Sequence, residues 1–303
     1  MDGSSPVLVF EFGDLTPQSS VSPYTVDEVD DATTQILAPF KIKSSKEFTL
    51  LAIEVYPYLS LEQLSQVNAF QIYLWRLDDI VDNPKVDLAI REQLLNESLA
   101  SMHDPTAAVQ ALCKLGVQLV SNISNSEMRS YVTQKLQLYY RAVMQRLSNA
   151  GGNLTVEEFL NIRLHDGAVF ATLPFCFSDV TDFTPYYAYL EGREGKHVLR
   201  LTNLNICYIN DIYSYPKDIL EKSNFNVIFS HQYQYHTTAE EAMRAAVHEA
   251  NQQYYELSLN QDELMVTQRL LRWCEGSLRW HREAARYKQT AEQLDSQTVT
   301  PSV

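Results

Sequence analysis

Apolar residues return every three or four positions over long stretches of the chain, which is the spacing of one helix face. The pattern runs through 61–82, 117–148, 156–170, 198–218, 238–257 and 262–293. Strict alternation, the mark of a half-buried strand, is nearly absent. Polar punctuation agrees. Thr155 before Glu158 and Thr238 before Glu241 have the form of capping boxes, in which two side chains satisfy each other's backbone N–H groups. Asn83-Pro84 and Asp104-Pro105 read as stops, because the residue before a proline is pushed out of helical geometry. The pattern predicts an all-α protein with about ten or more helices.

Residues 1–46 are rich in Ser, Thr, Pro and Asp and only weakly periodic. They read as an irregular N-terminal arm with room for one short helix, ahead of a helical domain over 47–290. Residues 291–303 have no apolar face and read as a frayed C-terminal tail. Gly151-Gly152 and the pair Gly192 and Gly195 mark turns, and no period suggests a repeat array. Cys113, Cys176, Cys207 and Cys274 form no CxxC pair and lie in apolar or helical stretches. Reduced thiols packed as small hydrophobes are expected there.

Asp and Glu outnumber Lys and Arg 38 to 24, for a formal net charge of −14. Such a surface repels phosphate backbones and anionic lipids, so neither nucleic acid nor a membrane face is the expected partner. No stretch approaches the roughly 18 apolar residues of a spanning helix, and no basic leader opens the chain, so membrane insertion is not expected and a cytoplasmic location is. The acidic balance does not argue against binding a metal ion.

Four constellations carry chemistry. Asp78, Asp79 and Asp82 cluster at the end of an aromatic-rich helical segment containing Phe70, Tyr73 and Trp75. Asp78 and Asp82 share a face at i,i+4, and the dipole of a helix end disfavours anions there. A hard cation such as Mg²⁺ would relieve the repulsion. Asn210, Ser214 and Asp218 fall on one stripe at i,i+4,i+8, an amide oxygen, a hydroxyl and a carboxylate suited to a second hard cation. Arg163 and Asp166 share a face at i,i+3, with Gly167 next. A salt bridge would fix the guanidinium fork for an anion, and Gly167 suggests a break that frees carbonyl oxygens. The His165-Asp166 pair alone points weakly to a metal phosphohydrolase, whose further ligands are not in evidence. Arg286 and Tyr287, downstream of Trp280, offer one fixed cation and one hydroxyl.

These elements in this order resemble the class I terpene synthases, or terpene cyclases, of microbial type. Asp78-Asp79-x-x-Asp82 is similar to the family's DDxxD motif. Asn210-Asp211-x-x-Ser214-x-x-Lys217-Asp218 is similar to NDxxSxxKE, with Asp218 where Glu is usual and Pro216 inside the motif. Arg163, Asp166 and Gly167 match the pyrophosphate-sensing Arg, linker Asp and effector Gly. Arg286-Tyr287 resembles the RY pair.

The resemblance implies the all-α class I isoprenoid (terpenoid) synthase fold, a single helical barrel over 47–290. It implies three Mg²⁺ ions, with Mn²⁺ as a substitute, held by Asp78 and Asp82 and by Asn210, Ser214 and Asp218. Arg163, Lys217, Arg286 and Tyr287 would hold the diphosphate of a prenyl substrate. Phe70, Tyr73, Trp75, Phe170 and Trp280, with Phe175 and Phe177, are candidate π-faces for a carbocation. Farnesyl diphosphate is the substrate expected first and geranylgeranyl diphosphate next. Relatives of this kind commonly form homodimers, and nothing in the chain itself argues for one. A chain-elongating prenyl diphosphate synthase would need a second aspartate-rich motif in place of Asn210, Ser214 and Asp218. A non-catalytic binding protein on the same scaffold would not need so full a ligand set.

Overall fold

The chain is seen in a computed structural model that describes residues 22–149, 152–260, 262 and 264–288. The first part of the N-terminal arm and the tail over 291–303 lie outside the described residues. No strand occurs among the described residues, and no helix there is long and apolar enough to cross a membrane. The chain forms two compact units. One runs to Leu147 and includes His165–Leu199; the other takes Ser148–Leu164 and the chain from Arg200.

The first unit is built around α3 (Leu61–Val81), which is buried over most of its length. α1 (Val26–Leu37), α2 (Lys46–Val55) and α5 (Ala111–Ser121) pack on it. Buried Asn68 ties three of these together, donating to the hydroxyls of Thr33 at 3.0 Å and Thr49 at 2.8 Å. Helix α1 occupies a stretch whose sequence is only weakly periodic. Its buried stripe is Val29, Thr33 and Leu37, one of them polar, so apolar spacing shows it poorly. A Thr25–Glu28 capping box starts it.

The long pattern over 117–148 is two helices rather than one. After α4 (Leu88–Ser101), α5 ends at Ser121 and α6 begins at Ser126 (Ser126–Ser148). Asn125 restarts the chain, its side-chain oxygen accepting from the N–H groups of Glu127 and Met128 at 3.0 and 2.9 Å. That is an N-cap. α7 (Val156–Asp166) likewise stops short of the predicted 156–170, and α8 (Val169–Thr172) and α9 (Thr184–Glu191) follow.

The turn into the next helix, α10 (Arg193–Glu221), depends on Gly195. A Cβ there would lie 2.0 Å from the Tyr189 carbonyl oxygen and 2.7 Å from the Leu190 Cα, both backbone atoms. Neither can step aside without moving the turn. Gly195→Ala is therefore expected to cost about 3 kcal/mol, measured as a lowered denaturant midpoint at unchanged slope.

In the second unit α11 (Val227–Tyr235), α12 (Ala239–Ser258) and α13 (Val266–Glu283) pack in succession. Polar links hold the buried middle of α10 in register: Asn203 donates to the Leu164 carbonyl at 2.7 Å and Asn205 to that of Ala250 at 2.8 Å. α10 stays helical through Pro216.

Candidate functional site

The aspartates of α3 sit at its C-terminal end because that helix stops at Val81, ahead of Asn83-Pro84. Asp78 and Asp82 converge on a cation that the spacing argument missed, Arg146 on α6. Its guanidinium contacts Asp82, lies 3.6 Å from Asp78 and is 2.9 Å from Asp166, the last residue of α7. Arg146 is 14% exposed and Asp166 3%. Burial alone would lower the Arg146 guanidinium, yet the charges of Asp166, Asp82 and Asp78 hold it well above its ordinary range. Asp79 faces outward and pairs with Arg76 at 3.4 Å.

Immediately after Asp166 the backbone breaks. Gly167 is in a turn, and Ala168 takes the left-handed conformation at φ 55°. A left-handed alanine is costly, so the break is imposed by its surroundings and not by local preference. Phe170 then lies against His165, with ring centroids 5.6 Å apart. Farther down α3, Phe70 packs on Phe175 at 4.8 Å. Phe177 packs on Tyr186 at 4.9 Å. Tyr73 places its hydroxyl 2.5 Å from that of Tyr140 and its ring in the notch left by Gly116. Trp75 stacks on Phe48 at 4.8 Å.

The second unit holds the other set. Arg163 donates to Asn210 at 2.9 Å and to Asp211 at 2.7 Å. Its 2.7 Å partner Asp211, at 3% exposure, is a carboxylate that the spacing argument did not offer. Burial pushes the Asp211 carboxyl up to about 7, against the pull of Arg163. The Asn210 amide is oriented from both ends. Its oxygen accepts from Arg163, and its nitrogen lies 3.1 Å from the Tyr287 hydroxyl and 3.2 Å from Nε2 of His281. The Ser277 carbonyl, 2.7 Å from Nδ1 of His281, can only accept, so Nδ1 carries the proton and Nε2 accepts from Asn210. Burial lowers His281 to about 3, which keeps the imidazole neutral.

One turn on, Ser214 donates to Asp218 at 2.9 Å, and Asn226 donates to Asp218 at 2.8 Å. Asp218 is raised by burial, with these two donors opposing. The shorter side chain thus still reaches the hydroxyl of its own stripe. Lys217 pairs with Glu221 at 3.6 Å. Trp280 is buried and meets Tyr287 edge-on at 5.8 Å, while the Arg286 guanidinium lies 5.4 Å from the Tyr287 ring centre.

The donor set is one of carboxylates, an amide oxygen and a hydroxyl, which suits a hard divalent cation. Among the described residues no three His, Cys, Asp or Glu side chains gather as a ready-made cage. Asp78 and Asp82 instead share Arg146, and Asn210 shares Arg163. The residues fit a metal in chemistry, with guanidinium groups now balancing the charge.

The family model described as terpene synthase family 2, C-terminal metal binding, matches residues 69–256, more than half of the chain. The chain belongs to that terpene synthase family. It is 27% identical over 267 residues to (+)-T-muurolol synthase ((2E,6E)-farnesyl diphosphate cyclizing) of Roseiflexus castenholzii, covering 79% of this chain and 77% of the relative. Among solved structures, α-eudesmol synthase superposes with a TM-score of 0.70 at 14% identity, covering 90% of this chain and 99% of that one. Germacradien-4-ol synthase from Streptomyces citricolor gives 0.67 at 17% identity, covering 87% and 98%. The synthase therefore has the all-α class I terpenoid synthase fold. It is a terpene cyclase whose family carries a divalent-metal-binding region.

Proposed function

We propose that the synthase ionises a linear prenyl diphosphate in the presence of Mg²⁺, closes the resulting carbocation to a cyclic terpene and releases diphosphate. Farnesyl diphosphate is the first substrate to test, because the R. castenholzii relative is named for cyclising it, and geranylgeranyl diphosphate is the second. The observation that carries the reading is the pair of oxygen-rich clusters, each balanced by a half-buried arginine: Asp78 and Asp82 on Arg146, Asn210 on Arg163.

Three Mg²⁺ ions, replaceable by Mn²⁺, would be held by Asp78 and Asp82 and by Asn210, Ser214 and Asp218. Bound cations supply Lewis-acid stabilisation of the charge that grows on the leaving diphosphate. Arg163, Lys217, Arg286 and Tyr287 donate hydrogen bonds to diphosphate oxygens, and the prior fixation of Arg163 by Asp211, Lys217 by Glu221 and Tyr287 by Asn210 limits reorganisation during ionisation. Asp166 ties the end of α7 to Arg146, and the turn at Gly167 supplies backbone carbonyl oxygen toward the cation. Phe70, Phe170 and Trp280 are the aromatic residues we favour for the cation's π-contacts. One face of Trp75 is taken by Phe48, and Tyr73 is engaged with Tyr140 and Gly116.

Incubation with Mg²⁺ and geranyl, farnesyl or geranylgeranyl diphosphate, followed by extraction, tests the reading. Cyclic hydrocarbons or alcohols from the farnesyl substrate are expected, and EDTA should abolish them. Longer diphosphates would indicate an elongating enzyme. Turnover that survives EDTA would overturn the metal assignment.

A further inference from the structure

We infer that Arg146 is a resident counter-cation of the aspartate site, which competes with divalent metal for Asp78 and Asp82 and tethers both to Asp166 at the broken end of α7. The inference rests on the reading of Asp78 and Asp82 as metal ligands. Three carboxylates from two helices surround one guanidinium that is 14% exposed. Like charges so placed repel one another, most of all around Asp166, which is only 3% exposed, and Arg146 offsets that repulsion in a metal-free protein. A guanidinium suits this role because its planar fork offers five donors in fixed directions, whereas an ammonium is a single point charge.

The competition follows from charge and geometry together. A divalent cation approaching Asp78 and Asp82 meets a positive charge already seated on them, so it must displace the guanidinium from both. Asp166 need not be displaced, and Arg146 can remain on it. Metal loading then leaves Arg146 with one carboxylate partner in place of three. It also releases the link between the end of α3 and the Gly167–Ala168 turn. Arg146 is in this sense a positioning residue, acting through carboxylates that it keeps from the metal until the metal arrives.

Mn²⁺ binding to the full-length protein, followed by electron paramagnetic resonance without substrate, tests this. Arg146→Gln should bind Mn²⁺ roughly tenfold more tightly than the wild type, because one adjacent positive charge is gone. The same variant should melt at lower temperature without metal and gain more from added Mn²⁺ than the wild type does. Arg146→Lys, which keeps the charge but not the fork, should fall between the two, and it carries the test alone if Arg146→Gln does not fold. Equal or weaker Mn²⁺ binding by a folded Arg146 variant overturns the competition and leaves the metal reading standing. Failure of wild type and variants alike to bind Mn²⁺ overturns both.

Discussion

Asp78→Ala is expected to lower turnover by about a thousandfold or more while the far-UV circular dichroism stays that of the wild type. The size follows from the reaction. Heterolysis of an allylic carbon–oxygen bond builds charge on the leaving diphosphate, and metal ions stabilise that charge by several kcal/mol, each 1.4 kcal/mol of which is about tenfold in rate. Removing a ligand carboxylate forfeits most of this. The fold should tolerate the change. The Asp78 side chain is 38% exposed, and Arg146 retains Asp82 and Asp166, so stability should drop by less than about 1 kcal/mol. Asn210→Ala should match the loss in turnover with a larger structural signature. It strips a hydrogen-bond acceptor from Arg163 and a donor from both Tyr287 and His281. Steady-state diphosphate release with circular dichroism on both variants separates the two effects. Normal turnover by Asp78→Ala would remove the aspartate cluster from the mechanism.

Much of this architecture is legible in the sequence where the signal is local. The Thr155–Glu158 and Thr238–Glu241 boxes form as hydrogen-bonded caps because their four residues contain both partners. The aspartate and Asn–Ser–Asp motifs stand on helices for the same reason: a face at i,i+4 needs no knowledge of the rest of the chain. What the sequence hides is which distant residue answers each motif. Arg146 lies in line with buried Tyr139 and Val143 at helical spacing, so a cation on a core stripe was its only trace. Asp211 was visible only as the second letter of a motif. Asn226, which no motif marked, caps α11, while its amide nitrogen reaches Asp218, the Ser214 hydroxyl and the Asp211 carbonyl. The break in α7 was foreseeable from Gly167, but its left-handed residue is Ala168, and no propensity argument puts an alanine there.

Arg163→Ala should lower the rate of ionisation by about 10²–10³-fold, the loss seen when one fixed donor to a developing anion is removed, and leave the product ratio of the residual activity unchanged. Arg163 is positioned before substrate arrives, held by Asp211 at 2.7 Å and Asn210 at 2.9 Å. Its side chain has little orientation left to lose on binding. The fold survives the deletion because Asp211 has an escape from being a buried unpaired anion. Burial already raises its carboxyl to about 7 against the opposing pull of Arg163; without that pull it rises further and the group is neutral at pH 7. The sign of the accompanying stability change is then fixed. A carboxyl whose folded pKa lies above its unfolded value of 3.8 binds more protons in the folded state, so stability falls as pH rises through the interval between the two values. Arg163→Ala should therefore extend that loss to higher pH than the wild type, and denaturant midpoints from pH 6 to pH 8 measure it. Diphosphate release and chromatographic product ratios complete the test. A variant that keeps its turnover and changes its products would show that Arg163 shapes the carbocation's path, and that the departure of diphosphate is driven by other groups.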